Sequence, residues 1–384
     1  MMTVCLLGAS GSIGKQAIDV MEHNPNDFDL VGFSIGKKVQ KIKQILAKYP
    51  NVKHICLQDE ESAKRYQKKY PNIHFYFGDE GLNELIVNSE AQMVVNALVG
   101  FVGLKPTLTA LEHNLIVCLA NKEALVVGGE LVNKLLDEGH GKLYPIDSEH
   151  VALAKCLSVD SEDVDQLIIT ASGGAFRKLT REQLVDVKAS DALNHPTWKM
   201  GPKITIDCAT MVNKTFEVIE AHYLFRYPIE KVAILLHDES LIHSLVKYNS
   251  GFYRLDYGKP DMRVPIKWAL YQGLTDFKTE LVGDYHVYKK CHFHEFSLER
   301  YPVVKWAKVV INQKGTYGAV LNAANEVAVR AYLKDEIPFL MIEQIIDHFM
   351  DTHKNINNPS YETIELIDSV IRKQVREYIE RRKQ

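Results

Sequence analysis

Short apolar runs recur along the first third of the chain, at residues 4–7, 30–33, 54–57, 93–97, 116–119 and 143–146. Between them lie stretches whose apolar residues return at helical spacing, at 13–22, 39–48, 104–113 and 122–137. Strand alternating with amphipathic helix predicts βαβ units and a parallel sheet. The runs are uniformly apolar because parallel strands are covered on both faces. Residues 1–147 are therefore expected to form a doubly wound, Rossmann-like α/β domain.

After Ser148 the rhythm changes. A strand at 166–170 meets Ser172-Gly173-Gly174, a helix is expected over 210–224, and strands over 232–236 and 240–248. The last of these alternates enough to leave one face for a partner. These elements predict a central α/β domain over 148–271. Residues 272–308 look irregular and are expected to be a linker. From 319 onward helical periodicity dominates, at 325–333, 341–350 and 361–382, so 309–384 is expected to form a C-terminal helical bundle.

A chain of 384 residues exceeds what one core usually organises, in keeping with several domains. Apolar residues at 46% and charged residues at 25% are ordinary for a globular protein. A net charge of −3 argues against nucleic acid or an anionic membrane as the main partner and leaves small-molecule chemistry as the default. No apolar run approaches the roughly 20 residues needed to span a bilayer. The start carries no basic leader, and the six cysteines are scattered without a disulfide framework. A cytoplasmic protein is expected.

The first run ends in Gly8-Ala9-Ser10-Gly11-Ser12-Ile13-Gly14, which opens the first helix. Glycines there permit a tight turn and close backbone approach, and helix N–H groups face a pyrophosphate. A strand before and a helix after make this a dinucleotide site, used for hydride transfer. The end of the second strand decides which dinucleotide. An NAD enzyme usually places an acid there, whereas this chain has Gly36-Lys37-Lys38, cations that attract a 2′-phosphate and favour NADPH. The competing reading is two lysines on a solvated helix start.

Two further clusters carry chemistry. Pro145-Ile146-Asp147-Ser148-Glu149-His150 ends the sixth run, and Asp147 and Glu149 offer hard oxygens to Mg2+ or Mn2+. The alternative is that acids in a first helical turn complement its dipole. The second cluster runs His195-Pro196-Thr197-Trp198-Lys199-Met200-Gly201, then Asp207-Cys208-Ala209-Thr210-Met211-Val212-Asn213-Lys214, with Glu217 one turn on. Lys214 and Glu217 at i, i+3 are either a surface ion pair or a metal carboxylate beside an anion-binding lysine.

Together these strings resemble the 1-deoxy-D-xylulose 5-phosphate reductoisomerase family. Leu119-Ala120-Asn121-Lys122-Glu123, Ser172-Gly173-Gly174 with Phe176-Arg177, and Leu321-Asn322-Ala323-Ala324-Asn325-Glu326 extend the match over most of the chain. The resemblance implies metal ligation by Asp147, Glu149 and Glu217, with Co2+ as a further candidate ion. It implies substrate contacts from Lys122, Ser148, Glu149, Ser172, His195, Asn213 and Lys214. It implies NADPH contacts from Ser10, Gly11, Ser12, Ile13, Gly36, Lys37, Lys38, Asn121, Glu123 and Gly201. It assigns the catalytic and dimerisation roles to the domain over 148–271. Trp198 and Met200 would lie on a flap near 194–203, whereas apart from the resemblance a tryptophan there reads first as a packing anchor. Two positions depart from the pattern. Cys208 stands where a serine commonly meets the phosphate, and Thr215 where glycine commonly follows Asn-Lys.

The implied reaction is the NADPH- and metal-dependent rearrangement and reduction of 1-deoxy-D-xylulose 5-phosphate to 2-C-methyl-D-erythritol 4-phosphate, by a homodimer that uses residues 240–248 at its interface. The rivals are a metal-assisted NADP dehydrogenase without rearrangement and a non-catalytic NADP sensor. Cys291-His292-Phe293-His294 offers soft metal ligands but has no second cluster, so it is assigned to structure. The basic tail Arg381-Arg382-Lys383 reads as the end of a solvated helix.

Overall fold

The computed structural model describes residues 1–157, 163–193, 197–198, 200–274 and 290–383. Over these residues the chain divides into two compact units. One comprises Met1–Ala124, Leu131–Asp147 and Asp261–Lys278, the other Leu125–Glu130, Ser148–Pro260 and Thr279–Gln384.

The first unit is built on a seven-stranded parallel sheet of β1 (Met2–Leu7), β2 (Phe28–Ile35), β3 (His54–Leu57), β4 (His74–Phe77), β5 (Met93–Asn96), β6 (Ile116–Leu119) and β7 (Lys142–Pro145). Its order is β4-β3-β2-β1-β5-β6-β7, so the direction of winding reverses between β1 and β5. Open α/β sheets bind ligands beyond the carboxyl ends of strands at such a reversal. The helices are α1 (Ser12–Glu22), α2 (Ile42–Lys48), α3 (Glu60–Lys69), α4 (Gly78–Asn88), α5 (Leu104–Glu112) and the start of α6 (Lys122–Asp137). Six strands coincide with the six apolar runs. The seventh, β4, is not among the runs; it is an edge strand whose ends, His74 and Phe77, are exposed.

The second unit holds a five-stranded sheet of β8 (Val164–Ala171), β9 (Val232–His237), β10 (Ile242–Tyr248), β11 (Tyr253–Tyr257) and β12 (Phe293–Glu295), in the order β11-β10-β8-β9-β12. Its helices are α7 (Ser148–Leu157), α8 (Ala189–Ala192), α9 (Pro202–Thr210) and α10 (Val212–Phe225), followed after α11 (Arg263–Leu270) of the first unit by α12 (Lys305–Gln313), α13 (Tyr317–Tyr332), α14 (Phe339–Thr352) and α15 (Tyr361–Lys383). The middle of α6 belongs here too. A Cβ at Gly318 would lie 1.9 Å from the Val126 carbonyl oxygen, and one at Gly129 would lie 2.4 Å from the Tyr223 ring, so both glycines are demanded by close packing.

Three sequence expectations change. The helix expected over 210–224 is present as α10, but it starts only after Met211, which lies in the left-handed region (φ 67°), and a further helix, α9, precedes it. Pro202, within the flap expected near 194–203, occupies a first-turn position of α9, where its missing N–H is harmless. Residues 240–248 do not leave a face open. Six of the seven β10 residues are buried, and the exposed apolar side chains stand next door at Phe252, Tyr253 and Leu255. The stretch 290–308 is not all irregular either. Its Cys-His-Phe-His string enters β12, which pairs with β9, and α12 begins at Lys305.

Candidate active site

The loop after β1 is shaped by backbone alone. Gly8 has φ +83° and lies so close to the end of β5 that a Cβ would stand 2.6 Å from the Ala97 carbonyl oxygen. Gly14 is tighter still, with its hypothetical Cβ 2.3 Å from the Gly8 oxygen. Ser34 ties the loop to β2, its Oγ accepting from the Gly8 N–H at 2.8 Å and its carbonyl from the Ala9 N–H at 2.9 Å. Gly11 caps α1 without a side chain, and no acidic residue stands in the first helical turn. The N–H groups of Ser12 and Ile13 are thus available to an anion at the positive end of the helix.

Gly36, Lys37 and Lys38 are exposed beyond β2. Lys41 joins them: desolvation first, then the neighbouring Lys15 and Lys38, hold its ammonium below the usual lysine range. Lys15, Lys38 and Lys41 thus gather mutually repelling charge near one strand end. Asn121 and Glu123 are buried at the start of α6. The Asn121 amide donates to the carbonyls of Leu98 and Gly100 at 3.2 and 3.0 Å and to Glu123, while its oxygen accepts from the Ala124 N–H. It therefore clamps the loop that follows β5. Lys122 is nearly buried, its Nζ 2.6 Å from Asp147, the last residue of the first unit.

Ser148 and Glu149, which follow Asp147 directly, open α7, and the Ser148 hydroxyl donates to Glu149 at 2.6 Å. Glu149 so placed also complements the helix dipole, and both sequence readings of this acid are compatible with its position. Carboxylate oxygens of Glu149 and Glu217 lie within 4.8 Å of one another. Glu217 is 1% exposed and Lys214 4%, so their ion pair is no surface pair. Lys214 Nζ also donates to the Thr170 carbonyl at 2.5 Å, and Asn213 Nδ2 to Glu217 at 2.5 Å. Two acids so close repel each other unless cations stand among them, and the Lys214 ammonium is one such cation.

Of the residues expected to bind the phosphate, Ser172, Cys208, Asn213 and Lys214 gather around the α9–α10 elbow. Ser172 follows β8, its Oγ accepting from the Gly174 N–H at 3.3 Å. Gly174 (φ +71°) presses on α9: a Cβ would lie 2.6 Å from Ala209 Cα and 2.7 Å from the Cys208 oxygen. Cys208 is half-buried. The left-handed turn at Met211 starts α10 afresh, so that Asn213 and Lys214 stand in its first turn. Thr215, where glycine was expected, is fully buried and its hydroxyl donates to the Met211 carbonyl at 3.0 Å, bracing the elbow.

Trp198 is half-buried, with its ring 6.1 Å from that of His243. Thr197 meets the Ser240 hydroxyl at 3.2 Å. Met200 is half-buried and Gly201 caps α9. His195 lies outside the described residues. One pair escaped the sequence reading. His150, fully buried, donates from Nε2 to the Glu217 carbonyl at 2.9 Å and turns Nδ1 toward Glu220 at 3.3 Å. It ties the helix that carries Glu149 to the helix that carries Glu217. Two acids at i, i+3 in the otherwise apolar stretch 216–225 were the available signal, since acids are rarely buried without a task.

Family models bear on this geometry. The model described as 1-deoxy-D-xylulose 5-phosphate reductoisomerase matches residues 4–129, and two describing the C-terminal domains of that enzyme match 143–225 and 257–374. The chain is 44% identical over 377 residues to the 1-deoxy-D-xylulose 5-phosphate reductoisomerase of Lysinibacillus sphaericus (strain C3-41), covering 97% of this chain and 98% of that one. It resembles a crystal structure of DOX-P reductoisomerase in complex with NADPH, fosmidomycin and magnesium, with a TM-score of 0.93, 30% identity and full coverage of both chains. It also resembles the Zymomonas mobilis enzyme in complex with NADPH, with a TM-score of 0.90, 34% identity and 99% coverage of both. A full-length match in sequence and fold, with the glycine loop, buried acids and serine-glycine cradle in place, makes this chain a member of the 1-deoxy-D-xylulose 5-phosphate reductoisomerase family.

Proposed function

We propose that this protein rearranges 1-deoxy-D-xylulose 5-phosphate and reduces the product with NADPH to 2-C-methyl-D-erythritol 4-phosphate, a step of the non-mevalonate isoprenoid route. The observation that carries the proposal is the close pair of Glu149, half-buried, and Glu217, buried and held by Asn213 and Lys214 beside the Ser172 loop. Such a pair has little purpose in a dehydrogenase that works without a metal.

The donor set fits a hard divalent ion, Mg2+ or Mn2+, bound by Glu149 and Glu217 with Asp147 as third carboxylate one residue before Ser148. When bound, such an ion polarises the substrate carbonyl and neutralises negative charge that develops on oxygen. Lys122, Ser148 and Glu149 orient the reacting carbons. Ser172, Asn213, Lys214 and the first turn of α10 take the phosphate, with His195 beside them, and binding energy from that remote group orients the rest. NADPH, the hydride source, lies along Ser10–Ile13 with its 2′-phosphate at Lys37 and Lys38. Asn121 and Glu123 shape its pocket by holding the 98–100 loop, and Gly201 lets the backbone approach. Trp198 and Met200 exclude water.

Loss of NADPH absorbance that requires both the phosphosugar and Mg2+, with a branched polyol phosphate as product, is the expected result. A linear polyol phosphate would sink the rearrangement. Among the described residues no helix is long and apolar enough to cross a membrane. A cytoplasmic homodimer is proposed, paired through the exposed strip at Phe252, Tyr253 and Leu255 rather than through β10. Light scattering that returns a monomer would exclude the dimer.

A further inference from the structure

The string Leu321-Asn322-Ala323-Ala324-Asn325-Glu326 has no part in the chemistry above, yet it lies on α13 with both asparagines fully buried. Two amides in a helix core need a reason, because each buried polar group without a partner costs about 1–3 kcal/mol. Asn325 supplies one. Its Nδ2 donates to Asp207 Oδ1 at 2.9 Å, 118 residues away on α9. Asp207, 2% exposed, receives Lys203 Nζ on its other oxygen at 3.0 Å, so both carboxylate oxygens are engaged. Asn322 donates to Glu326 at 3.0 Å, and Arg372 of α15 reaches the second Glu326 oxygen at 2.9 Å while gripping Asp368. Burial pushes the Glu326 carboxyl up, but Arg372, Lys203 and Asn322 together bring it below the usual range, so it stays charged. A continuous polar strip thus runs from α15 through α13 to α9.

The strip meets α9 at the residue before Cys208, on the helix whose backbone at Cys208 and Ala209 bears against Gly174. An α-helix turns 100° per residue, so the rotation that keeps Asp207 on Asn325 also fixes where Cys208 and the Met211 elbow point. We infer that Asn325, through Asp207, is a positioning residue for the phosphate end of the substrate. It sets the rotation of α9 against the Ser172-Gly173-Gly174 loop and hence the width of the phosphate seat. This rests on the reading of Ser172, Cys208, Asn213 and Lys214 as that seat.

The test is steady-state kinetics on the full chain carrying Asn325→Leu, which keeps the volume and removes the donor, with Lys203→Gln as a second variant whose side chain is partly exposed. Expected is a rise of about tenfold in KM for the phosphosugar and in the inhibition constant of inorganic phosphate, with kcat changed less and the KM for NADPH within about twofold. The Asn325→Leu, Asp207→Asn double variant should lose no more than the worse single one, because both act through one bond. A folded variant that melts earlier yet keeps its KM and its phosphate inhibition reduces the strip to packing and overturns the inference. Should Asn325→Leu not fold, Lys203→Gln decides by the same readings. Lys214→Met separates the two claims. If it also leaves KM and phosphate inhibition unchanged, the phosphate seat itself is misassigned; if it raises both while the Asn325 and Lys203 variants do not, only the positioning role falls.

Discussion

The candidate dinucleotide loop of the first unit and the candidate carboxylate and phosphate cluster of the second are made of different material. The dinucleotide end is backbone: Gly8 and Gly14 are defined by atoms that would collide with a Cβ, and the anion is offered N–H groups at the start of α1. The carboxylate and phosphate end is side chain: Glu217 is pinned by Lys214 and Asn213, and Lys214 in turn by the Thr170 carbonyl on another element. A backbone site tolerates any side chain that points away and no Cβ that points in. A side-chain site tolerates neighbours but needs its charges balanced, since removing one partner of a buried ion pair costs on the order of 3–5 kcal/mol.

The sharpest way to break that contrast is Glu217→Gln. Turnover with Mg2+ should fall on the order of 10^3-fold while NADPH binding, followed by fluorescence titration, stays intact. Unchanged turnover would remove Glu217 from the cation site. Gly14→Val should do the reverse. Its side chain meets the Gly8 carbonyl, so NADPH affinity should drop about a hundredfold while Mn2+ binding, read by electron paramagnetic resonance, survives in the folded fraction. Reversing charge at Lys37 and Lys38 to Glu should raise the KM for NADPH roughly tenfold and leave that for NADH nearly unmoved. An equal effect on both cofactors would return these lysines to the solvated surface.

Smaller effects refine the phosphate end. Cys208→Ser supplies a stronger donor and should lower the KM for the phosphosugar by about two- to threefold. An unchanged KM would place the thiol outside the seat. The smallest expected effect lies away from the site. Burial holds the His353 imidazole below the ordinary histidine range, and its Nε2 lies 2.7 Å from the Thr316 hydroxyl. The unfolded chain then takes up the proton first, so this residue weakens the fold as pH falls from about 6.5 toward the lower folded value. Urea titrations of the wild type and His353→Gln at pH 7.5 and 5.5 should show a smaller acid loss in the variant.

Legibility followed the same division. Buried parallel strands leave uniform apolar runs, so six of seven were readable; the one missed is β4, a short aromatic strand at the sheet edge with both ends exposed. The glycine loop was readable because its spacing reports a local backbone requirement. Asp147, Glu149 and Glu217 were nameable as hard-oxygen donors, but periodicity did not distinguish a surface ion pair at Lys214 and Glu217 from a buried one. The α9–α10 break was hidden because a left-handed Met211 has no signature in residue type, and His150 with Glu220 because neither fits a known ligand spacing.

What the sequence determined by itself was the order of elements, the cofactor loop and the chemical type of each candidate ligand, all properties of near neighbours along the chain. Only the tertiary structure decided which charges are buried together. Glu217 with Thr170 through Lys214, His150 with Glu217, and Asp207 with Asn325 are pairings across tens to more than a hundred residues. The free energy of such a pair depends on local dielectric and on partners that hydrophobic burial brings together, and neither quantity is a function of sequence distance.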